Sequence, residues 1–158
     1  MTARVFYYDL GSPACYLMAE RIAAGELSPT TEWEPVHLRT IQPEPDRTAI
    51  ERLAADQGLQ EFRWPERWPM DTRRAMLAAT YAKRIGRVVA FSLAAFRQAF
   101  AGGRDLGDPD TLLIVGAACE IHPAALLKAL ETRSVSEALE QATSRALAAG
   151  IEALPAVA

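Results

Sequence analysis

The order of segments limits this chain more than any single residue does. It opens as strand, helix, strand and then runs helix after helix, with extended character returning only at the end. Val5-Phe6-Tyr7-Tyr8 is a short apolar, aromatic run closed by Asp9-Leu10-Gly11, which predicts a buried strand. Ser12-Pro13 supplies an N-cap hydroxyl and a proline at the first helical position. Leu17, Met18, Ile22 and Ala23 then recur at helical spacing, and Gly25 suits the residue after the helix. Extended character returns from Glu32 to Leu38 around Trp33 and Val36. Pro35 lacks an N–H to donate to a ladder, so this second strand belongs at a sheet edge. The opening is a β–α–β unit with a right-handed crossover.

From about Asp46 to Ala149 the periodicity is helical. Ile50, Leu53 and Ala54 mark one helix, and the stretch 71–85 marks another after the stiff WPERWP segment. Val88, Phe91, Leu93, Ala95, Phe96 and Phe100 mark a third, which stops at Gly102-Gly103. Asp108-Pro109 and His122-Pro123 open two more. Ser134-Val135-Ser136-Glu137 has the form of a capping box for a last helix that ends at Gly150. Residues 151–158 turn extended around Leu154-Pro155. The 158 residues suit one domain, 1–158, with residues 42–149 as a helical insertion. The fold class expected is α/β: a small sheet carrying a large all-helical insertion. So little sheet is poor cover for so much helix, so a C-terminal strand pair and final helix are expected to be missing.

Charge and cysteine usage exclude several functions. The net charge of −3 lacks the basic excess that a phosphate backbone calls for, so nucleic acid is not the expected partner. No apolar run approaches the roughly 20 residues of a membrane-spanning helix. The start, MTARVFYYDL, does not have the form of a secretory signal. The two cysteines, Cys15 and Cys119, make no disulfide framework, and a reduced, cytoplasmic setting is expected. His37 and His122 offer no metal-ligand spacing.

The junction of strand and helix carries the chemistry. Free amides and the positive end of a helix dipole favour an anion there by about 0.3–1 kcal/mol. A thiolate held at such a place is stabilised and nucleophilic near neutral pH. In Ser12-Pro13-Ala14-Cys15 a hydroxyl occupies the position where a redox pair would have its first cysteine. That hydroxyl can donate a hydrogen bond to another molecule's thiolate, but it cannot form a disulfide. Ser12 has two readings: a stabiliser for a bound thiol, or an N-cap and nothing more.

YYDLGSPACYLMAERI resembles the opening of the thioredoxin-fold, DsbA-like group. That group holds DsbA-type oxidoreductases, kappa-class glutathione transferases and 2-hydroxychromene-2-carboxylate isomerases. Asp9, Ser12, Pro13, Tyr16 and Leu17 match its serine branch. Trp64-Pro65, the segment Pro69-Met70-Asp71-Thr72 and GRDLGDPDTL at 103–112 also look like the family, as does Gly150-Ile151-Glu152-Ala153-Leu154-Pro155. The resemblance implies a thioredoxin-like domain, usually a homodimer, that uses glutathione on a small-molecule substrate. It implies that Ser12 is catalytic and holds the glutathione sulfur, that Pro155 is cis, and that the Leu154 backbone pairs with glutathione as an added strand would. It places Asp71 at the glutathione pocket, where the family commonly has asparagine. The activity implied is isomerase or transferase chemistry on a conjugated or electrophilic molecule, with the thiolate as a borrowed nucleophile. A thiol–disulfide oxidoreductase relative and a noncatalytic binding domain are the alternatives.

Pro13, Cys15, Tyr16 and Trp64 are the expected wall of the substrate pocket, Tyr16 lying one turn beyond Ser12. Cys15 and Cys119 also suit small buried positions. Trp64 and Trp68 suit either a packing clamp or an aromatic wall. His122 suits a cap before Pro123, and His37 a place near the cleft. Arg73 and Arg74 suit a solvated helix face or an anionic ligand.

Overall fold

The computed structural model describes residues 3–26, 31–38 and 45–158. β1 (Val5–Tyr8) lies at the centre of the sheet, between β2 (Glu32–Pro35) on one side and β3 (Ala156–Val157) on the other. It pairs parallel with β2 and antiparallel with β3, and α1 (Pro13–Ala23) makes the crossover from β1 to β2. Alternation of side chains explains the position of β1: Phe6 and Tyr8 are fully buried on one face, while Val5 and Tyr7 are half-buried on the other. Pro35 ends the β2 ladder opposite Tyr8, and β2 is an edge strand among the described residues. The strand is shorter than the expected Glu32–Leu38. After Pro35 only the Val36 N–H continues inward, donating to the Tyr8 carbonyl at 3.1 Å.

Between β2 and β3 come α2 (Arg47–Asp56), α3 (Arg73–Arg84), α4 (Val88–Phe100), α5 (Pro109–Ala118), α6 (Pro123–Leu130) and α7 (Arg133–Ala148). Ser12, Asp46, Asp108 and His122 cap α1, α2, α5 and α6 with their side chains. The His122 Nδ1 atom accepts from the Ala124 amide at 3.1 Å. The start of α7 corrects the capping-box reading. Thr132 is the N-cap, so Ser134 falls inside the first turn. The groups that would have formed the box are already taken. Arg84 donates to the Ser134 hydroxyl at 3.1 Å, and Arg133 reaches Glu137 at 2.8 Å. At the other end, Gly150 follows the C-cap Ala149 with φ +83°, a conformation that costs glycine nothing.

The sheet is covered on both faces. On one, Phe6 and Tyr8 stack with ring centroids 4.9 Å apart and meet Trp33 edge-on. The buried Tyr8 hydroxyl bonds the Ser92 hydroxyl of α4 at 2.6 Å, and burial pushes its ionisation far above the ordinary phenol range. On the other face, Val36 and Leu38 pack with Ala142 and Ala146 of α7, joined by Tyr7, Ile151 and Leu154. Phe100 is the hub of a larger aromatic cluster. Tyr16, Phe62, Trp64 and Trp68 all lie with ring centroids 5.4–6.4 Å from it. This helical core holds α1 and α3 in place beside the sheet.

Candidate functional site

β1 delivers the chain to the turn Asp9–Ser12, and the sequence shapes that turn locally. The Asp9 carboxylate accepts from the Gly11 amide at 2.8 Å, and the Asp9 carbonyl accepts from the Ser12 amide at 3.1 Å. Aspartate is suited to this because its short carboxylate can mimic a backbone turn. Gly11 is small for a packing reason: a Cβ there would lie 2.6 Å from Cγ2 of Thr72, the N-cap of α3. The starts of α1 and α3 therefore meet at Gly11.

Ser12 caps α1, its Oγ accepting from the Cys15 amide at 3.2 Å. Capping uses a lone pair of the oxygen and leaves the hydroxyl proton for a second partner. The two readings of Ser12 are thus compatible. Pro13 has no N–H, and among the described residues the Ala14 amide has no partner. The first turn of α1 therefore offers one backbone donor and one hydroxyl toward an anion.

Two further elements flank this turn. Continuing the β1–β3 register from Tyr7–Ala156 places the cis Leu154–Pro155 bond beside Tyr8 and Asp9. The ladder stops before Leu154, whose backbone N–H and carbonyl carry no hydrogen bond among the described residues. On the opposite flank, His37 Nδ1 lies 3.5 Å from the Asp9 carboxylate and has no hydrogen-bond partner among the described residues. The His37 amide donates to the Thr143 hydroxyl of α7 at 3.0 Å, which fixes the backbone there. Asp9 and Thr72 stand at the site without having been singled out as site residues. The local signal for Asp9 was its place at the end of a strand, two residues before a glycine. Thr72 reaches the site only through the packing of α3, which has no local signature. Arg39 and Thr40, which follow His37 and Leu38, lie outside the described residues.

Cys15 is fully buried beneath the turn. Burial pushes its thiol up to about 12, although hydrogen bonding with Ser12 and the Asp9 backbone works the other way. A thiol so held is a packing group, not a nucleophile. Cys119 is buried as well, both cysteines are free, and burial raises the Cys119 thiol too. Iodoacetamide at neutral pH is expected to label Cys15 only after denaturation, as peptide mass mapping of native and unfolded samples would show. Rapid native labelling of Cys15 would contradict this placement.

Two of the expected pocket residues make packing contacts with the aromatic core. Tyr16 turns its ring into the core against Phe62, Phe96 and Phe100, because the face of α1 that follows Ser12 by one turn is the face that packs on α4. Trp64 lies between Trp68 and Phe62, with its indole N–H donating to Glu51 at 2.9 Å and the Arg47 guanidinium 4.7 Å above its ring. Pro13 is buried at the head of α1. Asp71 is exposed and accepts from the Arg73 amide at 3.1 Å, and its carbonyl lies close to Gly107. It borders a cavity of about 550 Å3 between the starts of α3 and α7. Among the described residues, no group of His, Cys, Asp and Glu is arranged to hold a metal ion, and no helix is long and apolar enough to cross a membrane.

Comparison with solved structures shows the same architecture elsewhere. A 2-hydroxychromene-2-carboxylate isomerase superimposes with a TM-score of 0.86 at 16% identity, over 99% of this chain and 85% of that one. The cytosolic disulfide reductase DsbM from Pseudomonas aeruginosa, solved with GSH, gives 0.73 at 16% identity, over 99% and 85%. The oxidoreductase DsbA from Xylella fastidiosa gives 0.63 at 14% identity, over 99% and 71%. At these identities the likeness is one of fold. No curated protein matches the sequence. The DSBA-like thioredoxin domain family, however, matches residues 5–158. With its sheet order, its cis-proline beside β1 and its helical insertion, the chain belongs to the DSBA-like thioredoxin domain family.

Proposed function

We propose that this protein is a glutathione-dependent enzyme carrying out isomerase or transferase chemistry on a conjugated or electrophilic small molecule. The observation that carries the reading is Ser12: a hydroxyl at the head of α1, at the position where a redox pair would have its first cysteine, above a Cys15 too buried to take part. A disulfide-exchanging relative would need an exposed, ionisable sulfur there. The chain supplies none at that place.

The residues fit glutathione in two respects. The unpaired backbone of Leu154 beside the cis-proline can take an extended peptide-like ligand as an added strand. The Ser12 hydroxyl and the Ala14 amide both lie in the first turn of α1, where a sulfur anion would gain from the helix dipole. Asp71 fits less directly, since a carboxylate repels the carboxylates of glutathione, but its charge is partly engaged by the Arg73 amide. DsbM was solved with GSH, and the similar structure with the higher TM-score of the two is an isomerase.

Glutathione, when bound, supplies a sulfur nucleophile. Ser12 donates its hydroxyl proton in a hydrogen bond to that sulfur, favouring the thiolate without itself becoming a nucleophile. The Leu154 backbone would hold the peptide-like backbone of glutathione as an added strand. Asp9 holds the turn that aims Ser12.

Calorimetric titration of reduced glutathione tests this. The protein is expected to bind at millimolar concentration or tighter, and Ser12→Ala to bind about tenfold more weakly, as loss of a hydrogen bond to a charged group predicts. No binding by the folded protein would overturn the reading and leave a different thiol cofactor or a noncatalytic role.

A further inference from the structure

α3 and α7 begin beside one another, and the space between their first turns is the cavity of about 550 Å3. That volume is within the ordinary range for small-ligand sites, roughly 300–1,000 Å3. Its lining includes Arg73 and Arg74 from the start of α3 and Arg133 and Ser136 from the start of α7, with Asp71 and Glu131 on the rim. Arg73, Arg74 and Arg133 thus all border one opening.

Their placement runs against helix electrostatics. Cations belong at helix C-termini, where the dipole is negative; at the first turn each costs a few tenths of a kcal/mol or more. Neither α3 nor α7 has an acidic residue in its first turn, and neither N-cap threonine, Thr72 or Thr132, makes a side-chain cap bond. Among the described residues Arg73 and Arg74 form no ion pair with a carboxylate. Among the described residues the Arg73 guanidinium reaches the Ser136 hydroxyl, at 3.4 Å. Arg133 does pair with Glu137 at 2.8 Å, but from a side chain that is 92% exposed. Asp71 and Glu131 offset part of this charge without contacting Arg73 or Arg74 as ion pairs. The cavity combines two guanidinium groups without a carboxylate partner, those of Arg73 and Arg74, with two helix starts whose N-cap threonines make no side-chain cap bond, although Asp71 accepts from the Arg73 amide.

We propose that this cavity binds the anionic group, carboxylate or phosphoryl, of a small molecule. Planar guanidinium forks suit both groups, and two arginines on separate helices can grip one from two sides. The cavity adjoins the Ser12 turn through α3, since Asp71 precedes Thr72 and Thr72 abuts Gly11. On the reading of Ser12 given above, the anion is the charged end of the electrophilic substrate.

The test uses inorganic phosphate and succinate as separate probes at constant ionic strength, with binding followed by calorimetry and by the shift of the thermal midpoint. At least one probe is expected to bind saturably, and the stronger one identifies the anionic group. The double variant Arg73→Gln/Arg133→Gln is expected to bind about tenfold more weakly. Its own midpoint without probe is expected to stay level or rise, because it removes two ill-placed charges; arginines with a structural role would lower it. Ser12→Ala is expected to leave phosphate or succinate binding unchanged, so failure of the glutathione site and failure of this site are separable. Absence of binding by both probes, or equal binding by the double variant, would overturn the proposal.

Discussion

Ser12→Asp is expected to fold with the stability of the parent protein and to lose glutathione-dependent turnover by about a hundredfold or more. Aspartate caps a helix as well as serine does, and its charge suits the positive end of α1. Stability therefore gives no reason for a loss. A carboxylate beside the sulfur, however, removes the hydroxyl donor and adds like charge, which disfavours the thiolate. Ser12→Ala makes the complementary comparison: it removes the Cys15 amide's partner and is expected to cost about 1 kcal/mol of stability. Thermal melts beside a conjugation assay with a general electrophile would separate capping from chemistry. Full activity in Ser12→Asp would mean that Ser12 is a cap and nothing more.

Phe100→Ala is expected to cost about 3–5 kcal/mol, the ordinary loss for emptying a large aromatic site in a core. For a domain of this size that corresponds to a fall in thermal midpoint of roughly 10 °C or more. Phe100 is fully buried and touches Tyr16, Phe62, Trp64 and Trp68 together. Its loss would loosen α1, α4 and the segment before α3 at once, with Ser12 at the head of α1. Leu147→Ala, at a side chain 54% exposed, is the control and is expected to change stability little. Chemical denaturation of both variants measures the difference. A loss below about 1 kcal/mol for Phe100→Ala would mean that the aromatic cluster is not the keystone of the helical core.

The fold was largely legible because its signals are local. Pro35 announced an edge strand, and Ser12, Asp108 and His122 announced helix starts through side chains that do cap those helices. The capping box at 134–137 does not form: α7 starts after Thr132, Arg84 of α3 bonds the Ser134 hydroxyl, and Glu137 pairs with Arg133 one turn away on α7 itself. The site was legible where one stretch of chain makes it, at Asp9–Ser12. It was not legible where packing decides. Tyr16 and Trp64 look equally suited to a pocket wall or a core when seen in sequence, and their shared contact with Phe100 appears only in the folded molecule. The convergence of Arg73 and Arg133 was equally out of reach, since they are sixty residues apart on helices that meet only in the folded molecule.

The most direct test of the account is the ionisation of glutathione on the protein. Ultraviolet thiolate absorbance would be titrated against pH for glutathione free, bound to the parent protein and bound to Ser12→Ala. The account predicts that the bound thiol ionises at least about one pH unit below the free one, the sum of a charged hydrogen bond and a helix dipole. It also predicts that Ser12→Ala returns most of that shift. A bound thiol that titrates like the free one, or a shift that survives in Ser12→Ala, would contradict the role given to Ser12.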